Sequence, residues 1–190
     1  EQVLAEVGSG LCRHEQQLTR VFNFSLAQLQ GRLPSIHNTL STMLESGMLT
    51  EVASEDPNKI PLIKATRLGR IAVRQMLLPD AVLHLHRYLT NEDSHKLTFL
   101  DLLLIAIGAP GFEPLLPCDF EDLDELGGRL FGEPSLLLQG PNNVITKRFH
   151  KGGRYLIAVI RTSLIARDWT RMGDVEQVAQ SWNCYPFEIR

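Results

Sequence analysis

Several kinds of signal are missing from this 190-residue chain, and each absence removes a class of function. Its three cysteines, Cys12, Cys118 and Cys184, are odd in number and far apart, with no C-x-x-C pair. That usage excludes a disulfide framework and a zinc knuckle, and fits a reducing, cytoplasmic setting. No glycine is followed by lysine, so the Gly-Lys-Ser/Thr end of a phosphate-binding loop is absent. No G-x-S-x-G, H-E-x-x-H or DExH-type box occurs either. Excess positive charge is missing too: the formal net charge is −3, so nothing global draws the chain onto a polyanion. The longest apolar stretch, "LTFLDLLLIAIGAP", is broken by Asp101 and ended by Gly108 and Pro110. It reads as a buried helix and not as a membrane span. The opening "EQVLAEV" has no Met, signal segment or transit-like segment, and reads as part of something longer.

What is present is an ordinary globular composition, 44% apolar and 22% charged, long enough for one domain or two small ones. Val3, Leu4 and Val7 predict an amphipathic helix end. Leu18, Val21 and Phe22 predict a second helix, and Ser25 with Gln28 a capped short turn. Pro34 suits a first helical turn, and Ile36, Leu40, Met43 and Leu44 recur with the spacing of one buried stripe. Gly47 is a left-handed stop. "MLTEVA" and "IPLIKA" then read as two strands around a turn made by Asp56, Pro57 and Asn58, with Pro61 marking an edge. Thr66 caps a helix whose face is expected to be Leu68, Ile71, Ala72 and Gln75. From Pro79 onward the pattern is helices with Pro and Gly punctuation, the longest within "KGGRYLIAVIRTSLIARDW". The fold class expected is therefore mainly α: a winged-helix domain over 1–76 with one short β-hairpin wing, then an α-helical bundle over 77–190.

Candidate chemistry reduces to surfaces. His84 and His86, two apart on a helix, point to different faces and make poor co-ligands, so no metal site is expected. Cys118 has no histidine near it in sequence, and Asp119, Glu121, Asp122, Asp124 and Glu125 read as a solvated helix face. No catalytic residue is assigned. The polar face opposite the Ile36 stripe carries His37, Asn38, Ser41, Thr42 and Glu45. It could meet base edges, or pack on protein or solvent, since it lacks Lys and Arg. Lys147, Arg148, Lys151, Arg154, Arg161, Arg167 and Arg171 cluster against the single acid Asp168. This is either a solvated face or a positive surface for a nucleic-acid backbone. Arg161, a charge amid apolar residues, is the most specific suspect.

The order of these motifs resembles one family. "MLESGMLTE…KATRLGRIAVRQMLLPDAVLHLHRYL" is similar to the region after the second RecA-like domain of Ski-like superfamily 2 DExH-box helicases, with Thr66, Gly69, Arg70 and Pro79 at its characteristic steps. "TFLDLLLIAIGAPGFEPLLP" looks like a bundle segment of that family. "ARDWTRMGDVEQVAQSW" looks like its Trp…Gly…Glu phrase, through Trp169, Gly173 and Glu176. The resemblance implies a wing that packs against motor domains and a bundle that closes around single-stranded DNA or RNA. It also implies a ratchet helix beginning near Pro186, and ATP and Mg bound in RecA-like motor domains upstream. The function expected is a non-catalytic accessory region of an ATP-dependent helicase. The alternative is a free-standing winged-helix transcriptional regulator with a helical dimerisation or sensing half.

Overall fold

Val3, Leu4 and Val7 are all buried on α1 (Gln2–Gly8), and the first hydrophobic core grows around them. The computed structural model describes residues 1–32, 34–53, 60–138 and 153–189. They form two compact units, Glu1–Leu83 and His84–Arg190.

In the first unit α2 (Glu15–Asn23) buries Leu18 and Phe22, while Val21 is exposed. The short α3 (Leu26–Leu29) is capped by Ser25, which accepts from the Gln28 amide, and buries nothing. Helix α4 (Ile36–Glu45) starts after Ser35, whose hydroxyl accepts from the Asn38 amide. Pro34 therefore precedes the cap and does not occupy the first turn. Leu40 is buried, and Ile36, Met43 and Leu44 pack against the same core, as the stripe predicts. Gly47 (φ 71°) ends the helix in the left-handed region that favours glycine.

Strands β1 (Leu49–Val52) and β2 (Leu62–Ala65) pair antiparallel in the register Leu49 to Ala65 and Val52 to Leu62. The expected turn residues Asp56, Pro57 and Asn58 lie outside the described residues. The free edge of β2 is covered: the Ile63 amide donates to Arg13 O at 2.8 Å, and His14 Nδ1 lies 3.3 Å from Pro61 O.

Helix α5 (Arg67–Arg74) departs from expectation in part. Ala72 is buried and Leu68 packs on the core, as expected, but Ile71 is 41% exposed and Gln75 is exposed, whereas Gly69 is buried and Val73 packs on the core. The cause is a backbone approach, since a Cβ at residue 69 would lie 2.2 Å from Met48 O. A helix can turn that position inward only if it is glycine, and that choice fixes the face.

Helix α6 (Pro79–Leu89) contains the division between the two compact units, at 83/84. Val82, in its first turns, belongs to the first core, and Leu83 packs against it.

In the second unit α7 (Phe99–Ile107) and α9 (Arg154–Met172) supply most of the core: Leu100, Leu104, Ile157, Ile160 and Leu164. Between them in sequence lies α8 (Leu123–Leu130), contributing Leu123 and Leu126. Gly173 (φ 70°) stops α9, its amide donating to Trp169 O at 2.8 Å. Asp174 then caps α10 (Val175–Ser181) by accepting from the Glu176 and Gln177 amides. A short α11 (Pro186–Ile189) closes the described chain. The described residues are thus mainly helical with one two-stranded antiparallel sheet. Among them no helix is long and apolar enough to cross a membrane.

Candidate nucleic-acid interface

Ser35 and the Ile36 stripe together determine which side of α4 faces solvent. With the stripe inward, His37, Asn38 and Thr42 are exposed and Ser41 is half-buried. His37 Nδ1 stands 3.2 Å from Glu15 Oε1 on α2, with both side chains largely solvated. A pair this exposed contributes little stability. The face presents hydrogen-bonding groups and the acid Glu45, and no cation from its own helix.

The strand pair is joined to α5 by one residue. Thr66 Oγ1 lies 2.7 Å from Gly47 O and 3.1 Å from Met48 O, and accepts from the Gly69 amide at 3.2 Å. The Thr66 amide also donates to Met48 O, and Arg70 donates from a guanidinium nitrogen to Ala65 O at 3.0 Å. Thr66, Gly69 and Arg70, the residues that carry the family resemblance, therefore all act at this junction.

The basic residues of the second unit part company in space. Lys147, Arg148 and Lys151 lie outside the described residues. Arg154, at the start of α9, is exposed. Arg161 is not a displayed charge: its guanidinium donates to Pro117 O and to Trp182 O, and lies 3.5 Å from Asp122. Only 14% of its side chain is exposed. Burial amid apolar neighbours is explained by these carbonyl acceptors, with no need for a phosphate.

Arg167 is buried more deeply. It bonds Asp168 Oδ1 through Nε at 2.9 Å and through a terminal nitrogen at 2.6 Å. Its other nitrogen forms a close ion pair with Glu133, at 2.5 Å but without hydrogen-bond alignment. The second oxygen of Asp168 accepts from the Trp182 indole at 2.9 Å. Arg129 lies 4.0 Å above that indole ring, a cation–π contact. Arg171 reaches Glu133 at 3.6 Å and remains 60% exposed. Of the expected cluster, Arg154 and Arg171 are the described members that face solvent.

One group in the second unit has no counterpart among the expected site residues. Asp101 is fully buried, and its carboxylate accepts from Ser135 Oγ at 2.5 Å and from the amides of Leu136 and Leu137. It also accepts from the Thr98 amide and hydroxyl, completing a capping box on α7. Burial by itself pushes this carboxyl upward, but the bonds from Ser135, Thr98, Leu136 and Leu137 together hold it below the ordinary range. The signal was in the sequence as Thr98-x-x-Asp101 ahead of an apolar run.

The remaining reactive groups are subdued. Burial pushes the thiols of Cys12, Cys118 and Cys184 upward, away from the thiolate. His84 Nε2 lies 3.1 Å from Ile105 O, and His86 is exposed. Among the described residues no group of His, Cys, Asp and Glu is arranged to hold a metal ion. No protein-family model matches the chain, and no curated protein matches it significantly.

Proposed function

We propose that this chain is a non-catalytic nucleic-acid-handling region of an ATP-dependent helicase, acting in the cytoplasm. In this reading the first unit is a winged helix that couples upstream RecA-like motor domains to the second unit, and the second unit bears on single-stranded DNA or RNA. ATP and Mg belong to the motor and have no residues assigned in this chain.

The observation that carries the reading is the Thr66 junction. Four helices, an antiparallel strand pair and a further helix follow one another, and the residues that tie the pair to that helix are those of the helicase-like motif. A wing built this way transmits force; a wing that reads sequence needs basic residues on its exposed helix, and α4 supplies none. Of the basic cluster expected near α9, Arg154 and Arg171 are described members that face solvent, with Lys147, Arg148 and Lys151 added from the sequence.

Fluorescence anisotropy with labelled oligonucleotides tests this. The chain is expected to bind single strands in preference to duplex of the same length, and the double change Arg154→Glu, Arg171→Glu is expected to weaken that binding at least about tenfold. Dimeric binding to a palindromic duplex, with single strands ignored, would instead establish the regulator and dismiss the helicase reading.

A further inference from the structure

Within the second unit the later turns of α6, the end of α7 and the start of α9 enclose a cleft of about 350 Å³. That volume lies in the range of small-molecule sites, ~300–1,000 Å³. Its walls are apolar, with Ile105 and Val159 among them, and three rings stand along it: His84, Tyr88 and Tyr155. His84 and Tyr88, one helical turn apart, have ring centroids 5.0 Å apart and planes tilted by 53°. Ile105 O can only accept, so the His84 nitrogen facing it at 3.1 Å carries a proton, which fixes the tautomer of the neutral ring. Tyr155 is 57% exposed and its hydroxyl donates to Gly108 O at 3.4 Å, which steadies the ring without burying it.

Charge selects among possible ligands. Among the described residues no carboxylate lines the cleft, and the residues beside two of its rings in sequence, Arg87 next to Tyr88 and Arg154 next to Tyr155, are exposed cations. An apolar slot with aromatic walls suits a flat π-system, and a cationic margin suits phosphate. We propose that this cleft binds a nucleobase carrying a phosphate, stacked on Tyr155 and within reach of Arg87 and Arg154. The proposal rests on the single-strand reading above and names the place where a base would leave the strand. A free nucleotide presents the same chemistry.

The test uses the full chain, with backbone amide NMR to locate binding and anisotropy to measure it. Two ligands are compared, AMP and an adenine decanucleotide. Amides of residues 84–88, 104–108 and 155–159 are expected to move with either ligand. Tyr155→Ala should weaken the decanucleotide about 5- to 100-fold, the range for losing one aromatic stacking partner. Tyr155→Phe keeps the ring and should stay within about twofold, and Arg87→Glu should weaken binding with the fold intact. Decanucleotide binding that ignores Tyr155→Ala, or shifts confined to other segments, would overturn the cleft while leaving single-strand binding standing. AMP binding without decanucleotide binding would support the cleft as a mononucleotide site and end the strand reading. If neither ligand binds, both fall.

Discussion

At the scale of single residues, two glycines and one aspartate make opposite demands on their surroundings. A methyl group at Gly69 would meet Met48 O at 2.2 Å, a backbone atom that cannot swing aside. Gly69→Ala should therefore cost roughly 1–3 kcal/mol of overpacking, more than the ~1 kcal/mol a helix gains from alanine. Gly128, on α8, has nothing within 4 Å of its would-be methyl group. Gly128→Ala should stabilise by up to about 1 kcal/mol, and urea unfolding of the two variants reads the difference in sign. Asp101 gives a pH signature. Its folded-state pKa lies below the unfolded value of about 3.9, so its contribution is complete above that value and drains away as pH falls through the lower one. Thermal melts from pH 6 down to 2.5 should show wild type losing stability at the acid end. Asp101→Asn should be less stable at pH 6 and flatter below pH 4. Parallel curves would show that the carboxylate contributes no linkage.

At the scale of elements, local signals were legible in the sequence and remote ones were not. Thr66 and Gly47 mark helix ends through groups within a few residues of themselves, so spacing alone found them. Half of the α5 face, Leu68 and Ala72, was legible; the inward turn of Gly69 was not, because a carbonyl at residue 48 sets it. Arg161 escaped for the same reason: its acceptors lie 44 and 21 residues away, on Pro117 and Trp182. Apolar flanks around a charge say that it has a partner and not which one. Arg161 also lies between segments that converge on α9, so its removal should be felt as a loss of fold. Arg161→Ala is expected to cost about 2–3 kcal/mol, by freeing two carbonyls and removing buried alkyl packing. Arg154→Ala should move stability by less than about 0.5 kcal/mol, as exposed positions do. Equal, small shifts in both melts would return Arg161 to the list of displayed cations.

At the scale of the whole molecule, charge is the governing quantity. On the proposed single-strand reading, a chain of net charge −3 would engage few phosphates, so its affinity should fall gently with salt. The anisotropy titration repeated between about 50 and 200 mM salt should give a log–log slope of magnitude about 2–3, each single-strand phosphate contributing about 0.7. A slope near −7 would demand about ten contacts, more than the expected basic cluster between Lys147 and Arg171 holds. That one chain stretch mixes strand and helix patterns and the other is helical alone was legible in the sequence, because the two periodicities differ. Which core the first turns of α6 enter was not, since Pro79 announces a new helix and says nothing of its neighbours.

The Thr66 hydroxyl answers to carbonyls on one side and an amide on the other, so the chain at this point has no slack to absorb bending. Tilting the strand pair about residue 66 breaks these contacts together, and Gly69 leaves no gap into which α5 could lag behind. The strand pair and α5 are thus fastened at one point, and displacing one without the other costs all of these contacts at once.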